Sequence, residues 1–338
     1  MPNLKPKVLL LGKLEHATRS WNALSSLADL LVPTATSRRE FIAELDSGSL
    51  DDFVIICDRA PSSLATTGRW DAELISTLPK SVKFICHNGA GYDNIDVQSC
   101  TEKGIMVSNC PGVVDDATAD TAMFLILAAL RGFNNGIMTI RNRTWTGHIP
   151  PPPLGHDPQE KILGILGYGG IGRNLKKKAE VFGMQVVYHS RKRLSKEAEE
   201  GAKYVSFDEL LGCCDVLSLN VPLNDHTRDM ISTAEFAKMK RGIIIVNTAR
   251  GGVMDEDALV AALESGHVRS VGLDVYQKEP DIHPGLLANP HVCLLPHMGT
   301  SSVETKTKME ECTIENVRSA LEIGRLNTTV PEQASLIS

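Results

Sequence analysis

The sequence predicts an α/β protein built on doubly wound parallel sheets, and three observations carry that prediction. One is a unit of strand, glycine-dense turn, helix and strand over residues 161–193, KILGILGYGGIGRNLKKKAEVFGMQVVYHSRKR. Another is the alternation of short apolar runs with helical stretches along the chain. The third is size: 338 residues with 42% apolar content suit two domains of ordinary size, each with a substantial core.

The 161–193 unit opens with the apolar run Ile162–Leu166. The turn Gly167-Tyr168-Gly169-Gly170-Ile171-Gly172 follows, then a basic amphipathic helix and a second strand, Gln185–His189. The flanking strands lift this Gly-x-Gly-x-x-Gly match above chance. Gly167 permits the tight turn, Gly169 admits a pyrophosphate to the backbone, and Gly172 lets the helix lie close to the sheet. The helix N-terminus offers N–H groups and partial positive charge to phosphates. A dinucleotide is therefore expected. The second strand ends His189-Ser190-Arg191-Lys192-Arg193, with no acid to hold a ribose 2′-hydroxyl. A hydroxyl beside a guanidinium suits a 2′-phosphate, so NADP(H) is preferred and NAD(H) is the second choice. Arg191 is the leading phosphate ligand, with Ser190 and Lys192 beside it.

Upstream, Lys7–Leu11, Phe53–Cys57, Lys83–Cys86 and Ile105–Ser108 read as strands. Helical spacing occupies Trp21–Leu31, Arg38–Leu45, Ala72–Leu78 and Val97–Glu102. A long helix begins near Val113, with Asp115 and Asp116 at its positive end, and runs to Arg131. Residues 142–160 break the pattern: Trp145 precedes Pro150–Pro153, a surface loop or an arm packing on a second subunit. Six runs then make one sheet: Ile162–Leu166, Gln185–His189, Asp215–Asn220, Gly242–Asn247, Ser270–Val275 and Val292–Leu295. The late helix Val303–Ile323, ending at Gly324, is expected to return to the first domain. The expected domains are 1–112 with 302–338, and 113–301.

Composition excludes several classes. The net charge of −6 argues against nucleic acid or an acidic membrane surface as partner. None of the eight cysteines has zinc-site spacing, so no metal is expected, and Cys213-Cys214 read as buried thiols. The N-terminus has too short an apolar run for a signal peptide, and the longest run, Ala122–Leu130, is too short for a membrane span. A cytoplasmic location is expected.

Three later stretches name a chemistry. Val246-Asn247-Thr248-Ala249-Arg250-Gly251-Gly252, Gly272–Pro280 and Leu294–Thr300 each follow a strand. Parallel strands put Arg250, Glu279 and His297 on one rim, where ligands bind. A bidentate arginine suits a carboxylate. A histidine supplies a proton near neutral pH, and a carboxylate on its far nitrogen fixes the tautomer. Hydride transfer to a 2-oxo acid needs these three groups. His87, His189 and His291 also end strands, where a lone histidine is more often structural; His297 stands out by its Pro-His-x-Gly setting.

With Gly89-Ala90-Gly91-Tyr92-Asp93-Asn94-Ile95-Asp96, the glycine turn, Asn247–Gly251, Gly272–Pro280 and Pro296–Gly299 in hand, the chain resembles the D-2-hydroxyacid dehydrogenases over nearly its whole length. It is most similar to the NADPH-dependent glyoxylate/hydroxypyruvate reductase type, and similar also to fungal D-mandelate dehydrogenases. The resemblance implies two Rossmann-like lobes, the cofactor lobe inserted in a flavodoxin-like substrate lobe, and a homodimer joined through the helix near Thr118–Arg131 and the following arm. It implies that Arg250 binds substrate, His297 exchanges the proton and Glu279 orients His297. Ala90 and Gly91 would hold the substrate carboxylate through backbone N–H groups. Val221, Pro222, Thr248, Ala249, Asp274 and Gly299 would line the cofactor with Gly167, Gly169, Gly170, Ile171 and Gly172. Many relatives carry a β-branched residue where this chain has Ala90. That difference and the proline-rich arm leave room for bulkier acids, phenylglyoxylate or 2-oxoisocaproate, beside glyoxylate and hydroxypyruvate. A corepressor-like nucleotide sensor shares the fold and the three residues, but the basic cofactor turn and the lack of long disordered tails speak against it. A formate dehydrogenase would carry glutamine at Glu279.

Overall fold

The computed structural model describes residues 5–59, 62–147 and 154–336; the expected extended run Pro150–Pro153 lies outside them. The chain forms two compact units, Met1–Val114 with Ser301–Ser338, and Asp115–Thr300.

In the first unit five parallel strands are ordered β2-β1-β3-β4-β5. They are β1 (Lys7–Leu11), β2 (Asp29–Leu31), β3 (Phe53–Asp58), β4 (Phe84–His87) and β5 (Met106–Ser108). This order is that of flavodoxin-like sheets. Local caps set the helices: Ser37 forms a capping box with Glu40 for Arg38–Asp46, and Asp71 and Asp96 accept from the third residues of Ala72–Thr77 and Val97–Glu102. One expectation fails. The helix expected over Trp21–Leu31 stops at Ala23, continues as a short 3₁₀ turn over Leu24–Ser26, and gives way to β2. Three residues at a sheet edge carry no alternation to read; pairing of Lys7, Val8 and Leu9 with Asp29, Leu30 and Leu31 decides them.

The helix Val303–Ile323 belongs to this unit. The Ser302 side chain caps its start, and Gly324 takes the left-handed conformation at its end. Ile314 and Val317 pack into one core with Val8, Leu10 and Ile55. From the same helix, the buried Glu310 carboxylate accepts from the backbone of Glu15, His16 and Ala17 and from Arg59 Nε at 3.0 Å. Burial raises this carboxyl's pKa, but those donors outweigh it and keep the group below its ordinary range.

The second unit holds seven parallel strands in the order β12-β11-β10-β9-β6-β7-β8. They are β6 (Ile162–Leu166), β7 (Gln185–His189), β8 (Lys203–Tyr204), β9 (Val216–Leu219), β10 (Ile243–Asn247), β11 (Val268–Leu273) and β12 (Val292–Leu294). The sheet has one strand more than the six expected, because β8 is only two residues long. The strand expected over Ser270–Val275 begins earlier, at Val268, and ends at Leu273. One apolar core covers each face. The helix Asp115–Arg131 lies directly on β11: a Cβ on Gly272 would sit 2.7 Å from Leu125 Cβ. That helix is mostly buried, whereas the next, Phe133–Arg141, buries none of its residues and was not foreseen. No single described helix is long and apolar enough to cross a membrane.

Replacing Glu310 by alanine should break the buried Arg59–Glu310 pair and remove the acceptor for the backbone of Glu15, His16 and Ala17, at a cost of about 3 kcal/mol. A thermal melt of Glu310→Ala that matches the wild type would show that the pair does not tie the C-terminal helix down.

Candidate active site

The second sheet reverses its winding between β6 and β9, since the chain goes outward through β7 and β8 and then returns to the other side of β6. Ligands of such sheets bind at the carboxyl ends of the strands beside that reversal. The glycine turn sits there. Gly167 has φ +93°, and a Cβ on it would lie 2.7 Å from the Asn220 carbonyl carbon and oxygen and 2.9 Å from Val221 Cγ1. On Gly172 a Cβ would lie 2.7 Å from Gly167 O and 3.0 Å from Ile165 Cγ2, so this glycine lets the helix Gly170–Val181 approach β6. Gly169 is the N-cap residue and faces open space, as a pyrophosphate seat requires. Gly170 is glycine for another reason: a Cβ there would fall on the Asp115 carboxylate. Burial raises the pKa of that carboxyl while Arg173 opposes the shift.

The turn after β7 is built differently from a free basic loop. Ser190 Oγ accepts from Tyr168 N at 2.9 Å, which ties it to the glycine turn and leaves its own proton to donate. Tyr168 stacks on Tyr188 with ring centroids 4.3 Å apart. Arg193 donates from Nε and Nη2 to the buried Glu199, at 2.7 and 3.2 Å. Arg191 and Lys192 are exposed. Of the three cations, Arg193 is thus held by a carboxylate. The Tyr188–Glu199–Arg193 brace escaped the sequence because Glu199 reads as one acid in a charged helix.

Two buried polar atoms on the same rim lack a hydrogen-bond partner among the described residues, Asn220 Oδ1 at the end of β9 and Thr248 Oγ1 after β10. Together with the space before Gly169, they fit a dinucleotide whose polar edges would satisfy them. Val221, Pro222, Thr248 and Ala249 follow β9 and β10 on that rim.

The three chemical residues come from three neighbouring strand ends. After β10, fully buried Asn247 shapes the turn: Asn247 Nδ2 donates to Arg250 O at 2.9 Å, and Ala249 N donates to Asn247 Oδ1 at 3.0 Å. Arg250 also donates from Nη1 to Ala249 O at 2.8 Å. Gly251 then packs so closely on Tyr276 that a Cβ would fall on the Tyr276 carbonyl carbon, which brings the loop after β11 alongside. In that loop Glu279 Oε1 accepts from Tyr276 N at 3.0 Å, and Gln277 N donates to buried Glu256 at 2.8 Å. Glu279 Oε2 meets His297 Nδ1 at 2.7 Å. Burial pushes the Glu279 carboxyl up, but the hydrogen bonds from His297 and Tyr276 N and the charges of His297 and Arg250 outweigh it. The group lies below its ordinary 4.5.

His297 adopts φ +51°, a conformation sparsely populated by residues with side chains. Asp274 imposes it. This carboxylate ends β11 almost fully buried and accepts from Met298 N at 2.7 Å and Gly299 N at 2.8 Å. Burial raises the pKa of Asp274 and those two donors oppose the rise. Asp274, expected only as a cofactor contact, therefore also clamps the turn that presents His297. With Nδ1 on Glu279, Nε2 is the ring nitrogen that has no hydrogen-bond partner among the described residues.

In the first unit Ala90 and Gly91 lie on the loop after β4 and are half-buried. Among the described residues no group of three or more histidine, cysteine, aspartate or glutamate side chains has metal-binding geometry.

A winding reversal cradled by glycine, with a carboxylate-held histidine on the same rim, defines a dehydrogenase-type nucleotide-binding protein. Residues 123–299 match the family model for the D-isomer specific 2-hydroxyacid dehydrogenase NAD-binding domain. The 4-methyl-2-oxopentanoate reductase A of Aspergillus oryzae is 52% identical over 98% of this chain and 99% of its own length. The crystal structure of a glyoxylate reductase from Paecilomyes thermophila superposes with a TM-score of 0.94 at 53% identity, over 98% of this chain and all of that one. A Rhodotorula graminis D-mandelate dehydrogenase superposes with a TM-score of 0.90 at 32% identity, over 97% and 98%. The chain belongs to the D-isomer-specific 2-hydroxyacid dehydrogenase family, and it is an enzyme of that family with an NAD(P)-binding domain.

Because Glu279 is depressed on folding, its stabilising effect is complete above 4.5 and is lost as pH falls through the lower folded value. The melting temperature of Glu279→Gln should therefore lie below that of the wild type at about pH 5, with the gap closing in more acid buffer. A gap that widens on acidification would contradict the geometry.

Proposed function

We propose that the protein reduces a small 2-oxo acid, glyoxylate or hydroxypyruvate, to the D-2-hydroxy acid with NADPH. The observation that carries the reading is the 2.7 Å contact between His297 Nδ1 and Glu279 Oε2 on the carboxyl rim of a dinucleotide-type sheet. When bound, the nicotinamide supplies the hydride. Arg250 and the N–H groups of Ala90 and Gly91 bind the substrate carboxylate. His297 Nε2 delivers a proton to the carbonyl oxygen as negative charge grows there. Glu279, itself ionised, accepts the Nδ1–H, so the ring that donates from Nε2 is the imidazolium and becomes the neutral Nδ1–H imidazole once the proton has left. Gly169, Ile171 and Gly172 offer helix N-terminal N–H groups to the pyrophosphate, and Asp274 and Gly299, beyond the ends of β11 and β12, line the cofactor toward its nicotinamide.

The choice of NADPH rests on the turn after β7. It has no acid at 189–193, and Ser190, Arg191 and Lys192 supply a hydroxyl and two exposed cations. A second substrate reading, a branched aliphatic 2-oxo acid such as 2-oxoisocaproate, is favoured by the 52% identical Aspergillus relative that carries that activity in its name. We also propose a homodimer in the cytoplasm. Phe133, Ile137, Ile140 and Trp145 are all exposed on or just after one helix, an apolar patch of the kind that covers itself by association.

His297→Ala should lose roughly 10²–10⁴-fold in kcat with little change in NADPH affinity. A near-normal rate in that variant would remove His297 from the chemistry. Arg191→Ala should lower the preference for NADPH over NADH by about tenfold, the scale of one charge-assisted phosphate contact. An unchanged ratio would count against the phosphate role. Steady-state rates with glyoxylate, hydroxypyruvate, phenylglyoxylate and 2-oxoisocaproate, each with both cofactors, rank the substrates. No oxidation of NADPH with any of them would favour a sensor instead.

A further inference from the structure

The first unit contains a buried histidine–carboxylate pair that takes no part in the proton transfer. His87 ends β4 and Asp58 ends β3, both almost fully buried, with His87 Nδ1 2.7 Å from Asp58 Oδ2. Asp58 Oδ1 accepts from Ser63 Oγ at 2.6 Å. The other ring nitrogen, His87 Nε2, lies 3.1 Å from Gly91 O. A carbonyl oxygen only accepts, so Nε2 is the donor to Gly91 O while Nδ1 faces Asp58.

His87 is one of three anchors on consecutive carbonyls. Gly89 O accepts from Cys110 N at 2.8 Å, and Ala90 O accepts from Asn109 Nδ2 at 2.7 Å. Gly91 O completes the set. In a trans peptide the carbonyl of one residue and the N–H of the next point in opposite directions. Tying back these three carbonyls therefore turns the N–H groups of Ala90, Gly91 and Tyr92 away from their anchors. None of the three donates to a described residue. Gly89 must be glycine because a Cβ there would lie 2.6 Å from His87 Nε2. A row of backbone donors with every carbonyl withdrawn is an anion receptor, and a carboxylate is the anion it suits.

We propose that Asp58, His87 and Asn109 are positioning residues that convert the 89–92 backbone into the substrate-carboxylate receptor. The inference rests on the reading of Ala90 and Gly91 as carboxylate ligands. Asp58 orients the ring, the ring and Asn109 withdraw the carbonyls, and the donors, unbonded to any described residue, are ready before substrate arrives. None of the three side chains needs to touch substrate, so the effect falls on its binding.

The test uses the full-length enzyme with NADPH, glyoxylate as substrate and oxalate as a non-reacting carboxylate probe. His87→Gln and Asn109→Ala should each raise KM for glyoxylate about tenfold and weaken oxalate inhibition in step. The KM for NADPH and kcat at saturating glyoxylate should stay within about twofold. Asp58→Asn retains a partner for the ring and should show a smaller rise than His87→Gln. If His87→Gln fails to fold, Asn109→Ala decides alone. An unchanged glyoxylate KM, or a parallel loss in NADPH KM and kcat, overturns the positioning role. A wild type that reduces no 2-oxo acid overturns the underlying reading instead, so the two failures are told apart.

Discussion

In the Asp115–Thr300 unit everything depends on one constraint: seven strands run parallel, so all their carboxyl ends open on the same rim. Antiparallel neighbours would send half of the loops to the far side. Here Gly167, Ser190, Asn220, Arg250, Asp274 and His297 follow six different strands, more than a hundred residues apart from first to last, and still share an edge. The helices on both faces make the arrangement stable by burying apolar surface on each side. Gly167, Gly172, Gly251 and Gly272 are places where that packing leaves no space for a side chain.

The rim is organised by carboxylates with divided tasks. Glu279 spends one oxygen on its own loop and the other on His297. Asp274 spends both oxygens on the turn that carries His297. Glu199 takes Arg193 and Tyr188, and so fixes the turn on which Ser190 and Arg191 sit. In each case a charge is held by backbone or cationic donors, which is how a buried or half-buried carboxylate is tolerated. The histidine's left-handed conformation is then the local cost of aiming its ring outward.

The other unit follows the same logic with neutral groups added. Its 89–92 loop is shaped from behind by Asn109, Cys110 N and the His87–Asp58 pair, while Glu310 gathers the 15–17 backbone and Arg59 onto the C-terminal helix. Both devices join residues far apart in sequence. The first of them gives the 89–92 loop the fixed shape on which the proposed carboxylate receptor depends.

What the amino-acid order determined by itself were the features whose cause is local. The helix Val303–Ile323 has its bounds written in Ser302 and Gly324, and Val97–Glu102 begins at Asp96 because an aspartate caps it. The glycine turn, the apolar strands and the order of Arg250, Glu279 and His297 were legible for the same reason: each signal lies within a few residues. Tertiary structure decided the rest. Asp29–Leu31 and Lys203–Tyr204 became strands because a neighbour offered a ladder, in runs too short to show any period. Asp274 as a clamp, Ser190 as a tie to Tyr168 and His87 as a carbonyl anchor all depend on partners brought in by folding. A hydrogen bond has no signature in either residue alone, so only the packed chain could assign these roles.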